Sequence, residues 1–242
     1  MYKYHLLLSG PNSNDINIGD KTISSSKCEK LLGIKIDNEL SFNEHIEDLC
    51  KKASQKLNAL SRLASTTNFQ QRRLIMNSFI TSHFSYCPVV WMFHSRKLNN
   101  RIKRLHERAL RTVYKDFNLS FEELLSKDKS VTIHQRNIQK LVTEIFKVKA
   151  GLAPEIMKEV FDFVDPPYNL RNNHKFNLRV PNTNRYGIET ASYIGPKLWE
   201  AVPEECKNSN SLDEFKIKIK KWIPENCPCK ICKTYIKHVG YL

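Results

Sequence analysis

Apolar residues recur at spacings of three and four along much of the chain. Ile46, Leu49, Cys50, Ala53, Leu57, Leu60 and Ala64 fall on one face of a helix. Ser41 reads as the N-cap of that helix, and Glu44, three residues on, completes a capping box. Asn68 reads as the cap of a second helix, "FQQRRLIMNSFITSHFSYC", that runs toward Pro88. The aromatic stretch behind it, "YCPVVWMF", reads as buried core rather than a ligand pocket. A third helix, from about Lys97 to Tyr114, has Leu98, Ile102, Leu105, Ala109 and Val113 as its apolar stripe. Ser120 caps a short helix, "FEELL". A longer one from about Thr132 to Lys149 turns Ile138, Leu141, Val142, Ile145 and Phe146 inward and is ended by Gly151 and Pro154. "IGPKLWEAVP" brings Ile194, Leu198, Trp199 and Val202 back to apolar contacts, and Ser211 caps a last helix, "LDEFKIKIKKWI".

Residues 1–40 follow a different rhythm. "KYHLLLS" is a short apolar run broken at Gly10-Pro11. "DINIGDKTIS" carries alternating isoleucines around Gly19-Asp20, a hairpin signal, and "KLLGIKID" reads as one further short strand. Residues 165–190 are rich in Asn, Pro and Arg and read as a linker with one strand around 176–180. The predicted architecture is mainly α. A small β-hairpin region (1–40) precedes a helical bundle (41–150). A short helix and linker (151–190), a C-terminal helical subdomain (191–226) and a Cys/His-rich basic tail (227–242) follow.

Composition adds two constraints. Hydrophobic residues make up 40% of the 242, enough for a real core, while seven glycines are few for a barrel or a glycine-rich nucleotide loop. No phosphate-loop, dinucleotide-binding, zinc-protease or hydrolase-elbow motif occurs. There is no secretory signal and no apolar run long enough to span a bilayer. The expected setting is therefore intracellular, nucleus or cytoplasm, with reduced cysteines and no membrane partner.

The formal charge of +14 is uneven: residues 1–40 are net neutral, 41–150 carry +11 and 151–242 carry +3. The concentration is clearest on the third helix, where Arg101, Arg104, Arg108, Arg111 and Lys115 recur at spacings of 3, 4, 3 and 4. At ~100° per residue they fall within an arc of ~80°, centred ~120° from the apolar stripe. Glu107 is the only acid among them. Such a ridge suits a phosphate backbone; a solvated helix face is the plainer reading. Lys216 and Lys220 make the last helix basic as well.

The tail "NCPCKICKTYIKH" holds Cys227, Cys229 and Cys232, with His238 beyond them. Cys229 and Cys232 have the C-x2-C spacing of zinc sites, and with Cys227 and His238 they offer a Cys3His set for zinc. Cys206 is a substitute ligand. The alternative is three reduced thiols in a basic tail. A thioredoxin-like redox motif lacks its βαβ surroundings. Lys230, Lys233 and Lys237, with Tyr235, suit RNA contact. His45 reads as a packing or capping residue; His83, His94, His106, His134 and His174 have no acid or cysteine partner at an obvious spacing.

"KCEKLLGIKIDNELSFNEHI" (Lys27–Ile46) resembles the palm–thumb junction of reverse transcriptases from non-LTR, LINE-type (jockey-like) retrotransposons. In these a strand with an -LG-I-ID- pattern leads into a helix opened by -L-[FW]---HI-. Leu32, Gly33, Ile34, Ile36, Asp37, Leu40, Phe42, His45 and Ile46 fit that pattern. "KYHLLLS" is similar to the last palm segment, and Lys3 matches a lysine near the polymerase site. "LIMNSFITSHFSYCPVVW", "NNRIKRLHERALRTVY", "GPKLWEAVP" and "SLDEFKIKIKKWI" resemble the family's later helical regions, and the tail is similar in position to a zinc-knuckle-like cluster. The resemblance implies an RNA-directed DNA polymerase that lacks fingers and most of the palm. It implies RNA and DNA partners (template RNA, target-site DNA). Magnesium would enter only where the missing palm is present, because the family's metal-holding aspartate pair has no counterpart here: the sequence contains no Asp-Asp. Asp37 reads as a turn or helix-start contact.

Three functions stay open on this basis. The chain is a catalytically incomplete fragment that binds RNA or template–primer duplex through the basic ridge. Or it is the C-terminal part of an active polymerase whose upstream exons are missing. Or it is a helical protein-interaction remnant, whose signature would be an exposed apolar patch around Val89–Phe93.

Overall fold

The computed structural model describes residues 6–7, 16–163, 176, 190–224, 227, 229, 231 and 232. In chain order the strands are β1 (Leu6–Leu7), β2 (Ile16–Ile18), β3 (Lys21–Ile23), β4 (Ser25–Ser26), β5 (Cys28–Leu31) and β6 (Ile34–Asp37). The helices begin with α1 (Asn43–Leu63), α2 (Phe69–Ile75), α3 (Pro88–Trp91), α4 (Arg96–Tyr114) and α5 (Phe121–Asp128). They continue with α6 (Ile133–Lys149), α7 (Ile156–Val160), α8 (Ala191–Glu200), α9 (Glu204–Lys207) and α10 (Leu212–Lys221). The protein is mainly helical with short strands near its start, as the sequence pattern predicts.

The chain divides into two compact units, residues 1–84 with 94–118 and residues 85–93 with 119–242. The helical stretch expected as one domain over 41–150 is therefore shared: α1, α2 and α4 lie in the first unit, and α3, α5 and α6 in the second.

In the first unit β2 and β3 pair antiparallel across Gly19-Asp20, the predicted hairpin, with Gly19 at φ +59. The "KLLGIKID" stretch is two strands rather than one. β5 and β6 fold back on Leu32-Gly33, whose φ values of 48 and 89 are those of a tight turn that matches strand twist. β1 and β4 add a short parallel pair.

The start of α1 also differs from expectation. Ser41 is not its cap; the helix opens behind Phe42, itself in the left-handed region, with no side-chain cap of its own. Asp37 supplies the missing acceptor. Its carboxylate receives the backbone N–H groups of Glu39, Ser41 and Phe42 at 3.2, 2.9 and 2.6 Å. With Leu40 and Phe42 both at positive φ, the loop turns its amide groups onto Asp37. Asp37 is thus a helix-start contact. His45 is buried, and its Nδ1 accepts the Lys35 N–H at 3.3 Å, a packing role. Lys35 reaches from β6 to Asp48 of α1 at 2.8 Å.

The inner face of α1 is buried from Ile46 to Leu60 and packs on α4, whose whole predicted apolar stripe is buried too. Asn68 caps α2 in a capping box with Gln71. The helix expected to continue from there changes pitch, to a π turn over Met76–Ile80 and a 3-10 turn over Thr81–Ser85. Arg72, almost wholly buried, donates to the carbonyl of Val113 at 2.9 Å and to that of Thr67, which ties α2 to the end of α4.

The second unit is built around α6, against which α3, α8 and α10 pack. Its core stacks Phe146 on Phe215, ring centres 4.2 Å apart, with Trp199 beside Phe215 at 6.1 Å. Capping boxes at Ser120–Glu123 and Thr132–Gln135 start α5 and α6, and Ser211 caps α10. Gly151, at φ +70, lies just past the end of α6, as predicted. Of the strand expected around 176–180, the described residue is Phe176, bridged to Phe163. Within "YCPVVWMF", Trp91 and Met92 are core, and the Trp91 indole donates to the Tyr86 carbonyl at 3.0 Å. Val90 on the opposite side is 50% exposed.

Candidate metal centre and cationic ridge

Cys227, Cys229 and Cys232 converge, and the fourth donor beside them is His134. The four ligand atoms lie within 4.8 Å of one another, with Cys229 Sγ 3.4 Å from His134 Nε2. His134 sits in the first turn of α6, one turn before Ile138 on the inward face, so the helix carries an imidazole where its pattern calls for an apolar side chain. The chain reaches it from α10, whose exit is fixed by Gln139: the side-chain amide donates to the Trp222 carbonyl at 2.8 Å. Cys227 and Cys229 are buried, and Ile231 packs into the core beside them.

Three thiols in so small a space cannot ionise together. Hydrogen bonds from Cys227 and Cys232 hold the Cys229 thiol well below its ordinary value, helped by His134 and against the effect of burial. The Cys227 thiol is pushed far up by its hydrogen bonds to Cys229 and Cys232 and by burial. Contact with Cys227 pulls Cys232 down, but its hydrogen bond to Cys229, burial and the Cys229 charge outweigh this and push it up to about 12. The three thiols therefore titrate as a linked set rather than one by one. A tetrahedral cation with sulfur at ~2.3 Å needs donors roughly 3.5–3.8 Å apart. The Cys229–His134 separation of 3.4 Å is close to that spacing and all four donors lie within 4.8 Å, so the four residues could draw in to hold a metal ion such as zinc.

The sequence pattern identifies the three cysteines but gives His134 no partner at an obvious spacing. Its partner lies 95 residues away, beyond any local spacing rule. The usable signal was its place on the apolar face of α6. His238, Lys230 and Lys233 lie outside the described residues. Cys206 is core and is not one of the four donors.

The ridge on α4 lies in the other unit. Arg101, Arg104, Arg108 and Lys115 are exposed, and among the described residues none of the four is held in an ion pair. Arg111 differs: it is half-buried, paired with Glu107 at 2.8 Å, and donates to the Phe117 carbonyl at 3.1 Å. At the end of the ridge Arg108, Arg111 and Lys115 surround a cavity of about 550 Å³ with Phe117, whose ring is 69% exposed. Lys216 and Lys220 belong to α10 in the second unit, where Lys216 pairs with Asp213 at 3.2 Å.

No protein-family model, curated protein or solved structure matches the chain. No helix among the described residues is long and apolar enough to cross a membrane.

Proposed function

We propose that the chain is a catalytically incomplete part of a LINE-type reverse transcriptase, its thumb and downstream region, which grips RNA or a template–primer duplex through the α4 ridge. The observation that carries the binding is the run of Arg101, Arg104, Arg108 and Lys115, all exposed on one face without an ion pair among the described residues. Like charges along one ridge repel, and a polyanion relieves that repulsion while releasing its own counterions. Phe117, bare beside three of the cations, offers a base a ring to stack on. Such contacts read backbone and shape rather than sequence. The family assignment rests on the strand-to-helix motif at Lys27–Ile46 and on the later helical segments.

The metal in this reading is zinc. Three sulfurs and one imidazole form a soft, four-donor, water-poor set, which suits structural zinc and not magnesium or calcium. Its role is to fix the chain end to α6.

The test is fluorescence anisotropy with labelled single-stranded RNA and an RNA–DNA duplex across a salt series. Affinity should fall steeply with salt for both. Arg104→Glu with Arg108→Glu should weaken binding about tenfold or more at moderate salt and flatten the log–log slope by about 2. Salt-insensitive binding, or none to either probe, would end the reading.

A further inference from the structure

A cavity of about 920 Å³ lies wholly within the second unit, and nothing above uses it. One wall is apolar, made by Pro88, Val89 and Val90 of α3 with Val131, Met157 of α7 and Ile219 of α10. Around this wall stand cations. Arg136, Lys140 and Lys147 come from α6, and Lys216 and Lys220 from α10, with Lys129 at the edge. Glu144 is the one carboxylate among the lining residues, and Lys147 already pairs with it at 2.8 Å. Burial pushes the Arg136 guanidinium down from its ordinary value, with Asp128 opposing. Burial likewise pushes the Lys140 ammonium down, Arg136 adds to this, and Cys87 opposes. Both charges are held partly out of water.

The chemistry of the walls narrows the occupant. Cations ringing an apolar floor call for a ligand that is apolar along one side and anionic along its flanks. No aromatic ring lines the cavity, so a nucleotide base would find nothing to stack on. Two polar side chains of the lining are engaged within the protein, Gln139 with the Trp222 carbonyl and Thr143 with the Gln139 carbonyl at 2.7 Å, while the buried Ser130 hydroxyl has no partner among the described residues. No strand contributes to the walls, so an extended peptide would find no ladder to join. A helix satisfies its own backbone and can present an apolar stripe between acidic rows.

We propose that this cleft seats an acidic amphipathic helix of a partner protein, with aliphatic side chains against Val89, Val90 and Ile219 and carboxylates against the cations of α6 and α10. The half-exposed Val90 is the anchor point at the mouth. Lys220, exposed and without an ion pair among the described residues, is a rim contact. None of its lining residues belongs to the nucleic-acid ridge.

The experiment pans a display library of helix-forming peptides on the full chain, then measures selected peptides by fluorescence anisotropy. Enriched sequences should place Leu, Ile or Met at helical spacings of three and four with Asp or Glu beside them. Val90→Glu and Lys220→Glu should each weaken them about tenfold, or ~1.4 kcal/mol, while Arg104→Glu with Arg108→Glu leaves them unchanged. Replacing one peptide Glu by Lys should restore affinity to the Lys220→Glu chain, which a merely structural role of Lys220 would not do. Should Val90→Glu fail to fold by circular dichroism, the exposed Lys220 variant and its charge swap decide alone. The inference is overturned if no peptide is enriched, if enriched peptides are basic, or if they bind the two variants as tightly as the parent chain. It is also overturned if single-stranded RNA or phosphatidylglycerol vesicles, and not peptides, lose binding through Val90 and Lys220.

Discussion

The two units hold themselves together in contrasting ways. In the first, polar groups bridge shorter stretches of sequence. Asp37 gathers three amides within five residues of itself, and Arg72 reaches the Thr67 carbonyl five residues before it and the Val113 carbonyl 41 residues on, in α4. Four of its cations, Arg101, Arg104, Arg108 and Lys115, stand on one helix face without an ion pair among the described residues. In the second, the decisive contacts span long stretches of sequence: His134 meets a thiol 95 residues on, Gln139 a carbonyl 83 residues on, and the cations surround an apolar hollow. A unit knit by shorter-range polar contacts around the α1–α4 core can expose a charged face without loss of fold. A unit closed by distant contacts depends on whatever secures its far end.

The largest effect that would break this contrast concerns the metal donors. Cys229→Ser should lower zinc affinity by at least about 100-fold in competition with a chromophoric chelator, since even the neighbours of zinc ligands are worth 10–100-fold. Affinity should also fall as pH falls. Cys227 and Cys232 hold their protons at neutral pH, so binding must expel them, and each step down in pH opposes that release. Unchanged affinity in the Ser variant, or pH-independent binding, would remove the site. Next comes Arg72→Met, which leaves the Val113 and Thr67 carbonyls without their donor and should cost about 2–4 kcal/mol in denaturant unfolding. Zinc stoichiometry should not change with it; a loss of zinc would show that the units are not independent. In the second unit, a Cβ at Gly195 would sit 2.7 Å from the Phe161 ring and 3.1 Å from Ile145. Gly195→Ala should therefore cost about 1–3 kcal/mol, and a neutral result would mean that the core yields easily. The smallest effect is Asp37→Ala, at about 1–2 kcal/mol. Its nucleic-acid affinity should be unaltered, as measured by the same anisotropy titration, because Asp37 holds a turn and touches no ridge cation.

Legibility from sequence followed the same divide. Helical faces were readable wherever period and burial agree: each inward residue assigned to α4 and α6 is buried, and the caps at Asn68, Ser120 and Ser211 stand where their residue types placed them. Ser41 misled because its capping-box pattern is local, whereas the two left-handed residues beside it hand the role to Asp37. The pitch change after Ile75 leaves no mark, since Met76, Ile80 and Phe84 keep a spacing that any helix tolerates. "YCPVVWMF" reads as core and is core on one side; its other side is a cavity wall, a distinction set by what lies opposite. The three cysteines announced a metal site, and the fourth donor lay beyond the reach of spacing.

The link between Cys229 and His134 has a consequence in the language of polymer chains. Fixing two points roughly 100 residues apart removes about 4–5 kcal/mol worth of freedom from the unfolded chain, on the entropy model of cross-linked loops. A zinc ion there would act as a clasp on that loop. Its contribution would grow only as the logarithm of the loop's length. The clasp's worth would therefore change little with the length of chain between its ends.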